Sequence, residues 1–164
     1  KLEAAKKQAE KYGVKEHKIV KFDLSEITRD NETVPARNNL FASFALSWAE
    51  LVGAMNIYIG INSIEYGDNP DCRPSFIHSF EKHANIAMKK IGPGKMDIWS
   101  PLMNNETCDT VKRGVEELKI DYSETISCPD ANEAGEACGE CVHCQYRKNG
   151  FEEAGIPDPT RYVS

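Results

Sequence analysis

Positive charge is in short supply. The sequence carries 20 Lys and Arg against 26 Asp and Glu, a net charge of −6 over 164 residues. A broad surface for nucleic acid or for an anionic membrane rests on excess Lys and Arg, so this balance argues against both as direct partners. Long apolar runs are lacking too. Nothing approaches the roughly 20 residues of a membrane span, and the opening Lys1-Leu2-Glu3-Ala4-Ala5-Lys6 is no secretion signal. The chain opens without Met and inside a helical pattern, and reads as one whose beginning lies outside this sequence. The hydrolase motifs G-x-S-x-G and H-E-x-x-H are absent. Gly92-Pro93-Gly94-Lys95 lacks the earlier glycine and the following Ser/Thr of a phosphate loop, and reads as a turn. His78 and His83 are five positions apart, diverge on a helix, and read as surface or interface residues. What is present is ordinary globular composition, 40% hydrophobic and 28% charged, at a length that supports one domain with a core.

Four of the six cysteines crowd the C-terminal region as Cys128, Cys138, Cys141 and Cys144, a C-x9-C-x2-C-x2-C pattern. Without a secretion signal, metal binding explains them better than disulfides. Zinc takes four soft donors in a tetrahedron, and closely spaced thiolates on a turn can bend round one ion. Gly139 lets the backbone turn tightly beside Cys138. Four thiolates leave no open position for water, so the expected zinc is structural. A disulfide pair and an iron–sulfur cluster are the alternatives, and His143 is a possible replacement ligand. Cys72 and Cys108 read as core or loop thiols.

Elsewhere helical and strand patterns alternate. Leu2, Ala5, Ala9 and Tyr12 recur at helical spacing before Gly13, and Lys18–Leu24 reads as a strand followed by a polar loop, Ser25–Thr33. Over Ala36–Ala54 the residues Leu40, Phe41, Phe44, Ala45, Trp48, Leu51 and Val52 form an apolar helical stripe. Asn56–Ile61 reads as a buried strand, and Pro74 opens a helix through Phe76, Phe80, Ala84 and Ala87. Asp97–Trp99 is a short strand, followed by a helix carrying Cys108, Val111, Val115 and Leu118 with Asn104 and Asn105 as candidate caps. This alternation predicts an α/β fold with a doubly wound parallel sheet, whose ligands sit beyond the carboxyl ends of strands.

Two polar segments follow from that rule. The loop Asn62–Pro74 could set Glu65, Asp71 and Arg73 round a polar ligand, the alternative being a solvated loop. Val34-Pro35-Ala36-Arg37-Asn38-Asn39 precedes a long helix, where free N–H groups and Arg37 suit an anion, the alternative being an ordinary cap.

In order, Val34-Pro35-Ala36-Arg37-Asn38, Ser47-Trp48-Ala49-Glu50, the Asn62 loop ending in Asp71-Cys72-Arg73-Pro74, and Ser100-Pro101-Leu102 carry a resemblance, as does the tail from Cys138-Gly139-Glu140-Cys141 through Cys144, Arg147 and Gly150-Phe151 to Ala154-Gly155-Ile156-Pro157-Asp158-Pro159. Together they resemble the 7-cyano-7-deazaguanine synthases of the queuosine pathway, over nearly the whole chain. The resemblance implies an adenine nucleotide α-hydrolase-like fold, with residues 1–120 for nucleotide and substrate and 121–164 as a zinc-binding segment. It implies ATP-dependent formation of a nitrile from 7-carboxy-7-deazaguanine and ammonia, ATP with Mg as substrate, a cytoplasmic homodimer, and no membrane partner. By motif position, Arg37, Asn38, Asn62, Tyr66, Asp71 and Arg73 would bind nucleotide and substrate. The family's Ser-Gly-Gly-x-Asp-Ser signature is absent, the segment between Leu24 and Val34 is short, and Cys128 to Cys138 carries one extra intervening residue. The first two departures lead to the expectation that further residues belong to the protein outside this sequence. A deazapurine-transferring paralogue and a non-catalytic zinc-containing binding module are the competing readings.

Overall fold

The computed structural model describes residues 2–28, 34–67, 69–89 and 95–163. Residues 29–33 of the expected polar loop, 92–94 of the expected turn and Asp68 lie outside them. The chain forms two compact units, Phe22–Asn105 and the combination of Lys1–Lys21 with Glu106–Ser164.

In the Phe22–Asn105 unit, helix α2 (Arg37–Val52) leads into strand β1 (Asn56–Tyr58), helix α3 (Pro74–Ala87) and strand β2 (Asp97–Trp99). The strands pair in parallel with Ile57 opposite Ile98, so α3 lies in the crossover that parallel pairing requires. Gly53 ends α2 at φ 74°, a left-handed conformation open to glycine, and Pro74 occupies the first turn of α3. The core gathers Leu46, Ile57, Ile61, Ile77, Phe80, Met96 and Ile98 with the small residues Ala42, Ala49 and Ala84. The margin of β2 away from β1 is met by α3. Asn85 Nδ2 donates to the Met96 carbonyl (2.8 Å), the Met96 N–H donates to Asn85 Oδ1 (2.9 Å), and the Ile98 N–H donates to Glu81 Oε2 (2.9 Å).

Three expectations are corrected here. The stripe read on α2 is not its buried face: Ala42, Leu46 and Ala49 are buried, whereas Phe41, Phe44, Trp48, Leu51 and Val52 are exposed. Apolar residues occupy both sides of this helix, and the side that packs on the sheet is the one with small residues, which allow close approach. Lys18–Leu24 forms no strand, because no strand among the described residues lies beside it to complete a ladder. Asn56–Ile61 shortens to Asn56–Tyr58, though the Ile59 N–H still donates to the Trp99 carbonyl (2.8 Å).

In the other unit, helix α1 (Leu2–Lys11) ends before Gly13 as read from the sequence, but it buries none of its residues. Helices α4 (Thr107–Glu116) and α5 (Val142–Ala154) pack closely. Glu106, rather than Asn104 or Asn105, caps α4: its side chain accepts from the N–H of Asp109, whose carboxylate accepts from the Glu106 N–H (3.1 Å). Close packing demands glycine at two points. A Cβ on Gly150 of α5 would run into the Thr107 side chain, and one on Gly114 of α4 would run into the Tyr122 ring. Tyr122 and Phe151 meet edge to face with centroids 5.3 Å apart. Among the described residues, no helix is long and apolar enough to cross a membrane.

Candidate metal centre and polar substrate loop

The Cys128, Cys138, Cys141 and Cys144 sulfurs converge, all lying within 4.8 Å of one another. Cys128 and Cys138 are 3.5 Å apart, Cys141 and Cys144 3.5 Å, Cys138 and Cys144 3.9 Å, and Cys128 and Cys141 3.9 Å. Four sulfurs bound tetrahedrally to zinc at its usual bond length stand about 3.8 Å apart. The set therefore fits one ion of that size, and no pair is a disulfide. Cys141 is the N-cap of α5, which sets Cys144 one turn further on. Backbone N–H groups support the sulfurs: that of Cys138 donates to Cys128 Sγ (3.4 Å) and that of Cys141 to Cys138 Sγ (3.4 Å). Donation from the Cys141 and Glu140 backbone holds the Cys138 thiol down to about 7, whereas burial pushes that of Cys144 up. A buried thiol of this kind ionises readily only beside a cation. His143 is exposed and stands outside the cluster.

One turn beyond Cys144 on α5 begins a buried polar group whose Arg147 and Asp158 the sequence offered only as part of the resemblance, without a role. Arg147 of α5 is buried, pairs with Asp158 (Nε to Oδ1 3.3 Å), and donates to Thr125 Oγ1 (3.0 Å) and the Tyr122 carbonyl (3.0 Å). Asp158 also accepts from Thr160 Oγ1 (2.6 Å) and, through Oδ2, from the Tyr162 hydroxyl (2.6 Å). A lone arginine in a charged helix gives little sign of burial. The available signals were Gly155 and Pro157, which mark the end of α5.

The expected binding residues occupy the Phe22–Asn105 unit. Two short 3-10 turns, Ser63–Tyr66 and Pro70–Cys72, follow β1 and pack on one another, and the second also packs on α2. The Asn38 N–H donates to Asp71 Oδ2 (2.7 Å), and Asn38 Nδ2 donates to Cys72 Sγ (3.0 Å). The Cys72 thiol, fully buried, donates to Glu65 Oε2 (3.6 Å), a separation suited to sulfur. Burial, with Glu65 and Asp71 nearby, pushes this thiol up to about 11. Asn38, Asp71, Cys72 and Glu65 thus form one connected group. Tyr66 and Arg73 brace the loop through backbone carbonyls: the Tyr66 hydroxyl donates to that of Met103, and Arg73 Nε to that of Tyr66 (2.9 Å). Arg37 Nε and Asn62 Oδ1 are closed off from solvent and have no hydrogen-bond partner among the described residues. Cys72, read from the sequence as a core or loop thiol, is the link that joins Asn38 to Glu65.

The family described as Queuosine biosynthesis protein QueC matches residues 14–155. The chain belongs to this family. The 7-cyano-7-deazaguanine synthase of Cellvibrio japonicus is 42% identical over 99% of this chain and 80% of that protein. That of Syntrophobacter fumaroxidans is 43% identical over 99% of this chain and 79% of its own length. The corresponding values for Nitrosospira multiformis are 44%, 98% and 78%. Membership makes this chain an enzyme of queuosine biosynthesis, and the non-catalytic binding module is not favoured.

Proposed function

We propose that this chain is an ATP-dependent C–N ligase that converts 7-carboxy-7-deazaguanine and ammonia to 7-cyano-7-deazaguanine. The observation that carries this reading is that relatives of that name match 98–99% of the chain at 42–44% identity. A carboxylate resists ammonia because oxide is a poor leaving group. Attack of the carboxylate on the α-phosphorus of ATP expels pyrophosphate and gives an acyl adenylate. Ammonia then adds to the acyl carbon, AMP departs with that oxygen, and a proton is lost to leave the amide. Adenylation of the amide oxygen by a second ATP, followed by loss of AMP and protons, leaves the nitrile.

In this reading the orphaned Arg37 Nε donates to a carboxylate or phosphate oxygen, a charge-assisted bond that offsets developing negative charge. Asn38, Asn62 and Asp71 line the deazaguanine site, and Tyr66 and Arg73 fix the loop that carries it. Mg accompanies ATP. Residues 1–120 serve nucleotide and substrate, and 121–164 hold one structural zinc through the four cysteines, which supplies folding energy and no step of the reaction. We place the enzyme in the cytoplasm, without direct nucleic-acid or membrane partners, as a homodimer for which the exposed apolar face of α2 is available. Incubating the purified protein with 7-carboxy-7-deazaguanine, MgATP and ammonium should yield the nitrile and AMP, read by mass spectrometry. Failure to form either amide or nitrile under these conditions would refute the reading.

A further inference from the structure

Glu65 is a half-buried carboxylate with no cationic partner among the described residues. The neighbouring Arg73 is turned to the carbonyls of Tyr66 and Gly67 instead. One carboxylate oxygen, Oε2, is anchored by the buried Cys72 thiol, which Asn38 holds from its other side. The Glu65 N–H donates to the Asn62 carbonyl (3.4 Å), closing a turn whose three-residue period brings positions 62 and 65 to one side. Among the described residues, Asn62 Oδ1 is a buried acceptor without a donor. The turn after β1 therefore carries a half-buried carboxylate and an unmet amide oxygen three positions apart, two acceptors for the donors of a ligand.

The two organic substrates differ in what they offer. The base of ATP has one exocyclic amine beside ring acceptors. A guanine-type base has the N1–H and the 2-amino group side by side, two parallel donors that match the two oxygens of one carboxylate. We propose that Glu65, anchored by Cys72, is the specificity-determining residue of the site and accepts the N1–H and 2-amino hydrogens of the deazaguanine base. This rests on the function proposed above. Asn62 Oδ1 takes a further N–H of the same base. Such recognition rejects a base lacking the amine, because one carboxylate oxygen is then left desolvated and unpaired.

The test is calorimetric binding of 7-carboxy-7-deazaguanine and of its analogue without the 2-amino group, to the wild-type protein and to Glu65→Gln. The wild type should prefer the natural base by roughly 10- to 100-fold, the worth of a hydrogen bond to a charged group. Glu65→Gln should lose most of that preference by weakening the natural base alone, with thermal midpoint, metal content and the KM for ATP unchanged. Glu65→Asp keeps the charge but retracts it, and should fall between the two. If Glu65→Gln or Glu65→Asp keeps the full wild-type preference, the proposal is overturned. A wild type that binds and converts both bases equally overturns this proposal but spares the functional reading, whereas a wild type that binds neither base overturns both.

Discussion

Arg147 and Asp158 face each other across the turn after α5, Nε 3.3 Å from Oδ1, with only 7% and 13% of their side chains exposed. Two charges so far from water persist only as a pair, and removing one strands the other. Arg147→Ala should therefore lower unfolding stability by about 3–5 kcal/mol. Chemical denaturation of the metal-loaded protein reads this directly. Arg147→Lys should recover part of the loss, since it restores charge but not the fork that reaches Thr125 and the Tyr122 carbonyl.

The same pair gives a pH dependence. Burial works to raise the Asp158 carboxyl, but donors from Thr160 and Tyr162 and the nearby Arg147 outweigh it and hold it below the ordinary 3.8. A carboxyl depressed in the folded state contributes stability above its unfolded value, and that contribution disappears as pH falls through the folded value. Wild-type stability should thus drop on acidification below 3.8, and Asp158→Asn should flatten that part of the curve. Denaturant midpoints measured from pH 5 downward would show it, and parallel curves would remove Asp158 as the cause.

Removing the metal should cost folding. Without an ion, Cys128 and Cys144 remain buried sulfurs with no cation, and the segment around them contains little other core than Ala137 and its neighbours. Chelation should release one zinc per chain, lower the thermal midpoint, and open residues 126–163 to hydrogen exchange. Cys144→Ser should do the same without chelator. The Phe22–Asn105 core contains none of these ligands and should keep its protection.

Gly150→Ala should destabilise by about 1–3 kcal/mol through overpacking against Thr107. Thr107→Ser removes the methyl nearest the new Cβ, so the double variant should regain part of the loss. Thermal unfolding of the four proteins completes the cycle, and strict additivity would show that the two sites do not collide.

Thiol reactivity should separate Cys72 from Cys108. Cys108 is partly exposed, while Cys72 is fully buried with its thiol near 11, leaving about one thiolate in a thousand at pH 8. In the zinc-loaded protein, iodoacetamide should label Cys108 first and reach Cys72 only on unfolding, as peptide mapping would reveal.

Punctuation and spacing were legible in the sequence because they act locally. Gly13 follows the end of α1, Pro74 opens α3, and the cysteine spacing anticipated a cluster that the structure forms. Facing was not legible. The apolar residues of α2 lie on both of its sides, and bulk drew attention to Phe41, Phe44 and Trp48, while packing selected Ala42, Leu46 and Ala49. The apparent strand at Lys18–Leu24 had the right residue types, but a strand exists only through its neighbour. In the two polar segments, residue types showed where donors and acceptors gather but not which are spent on the backbone, as Arg73 is, and which are left over among the described residues, as Arg37 Nε and Asn62 Oδ1 are.

Asn85 and Glu81 give the small sheet a direction of growth. Their side chains already occupy the polar groups of Met96 and Ile98, so a newcomer strand would have to evict an amide and a carboxylate from β2 before it could pair there. Enlargement is consequently one-way: any strand that joins this sheet does so beside β1, and α3 acts as the selvedge that keeps the fabric from spreading past β2.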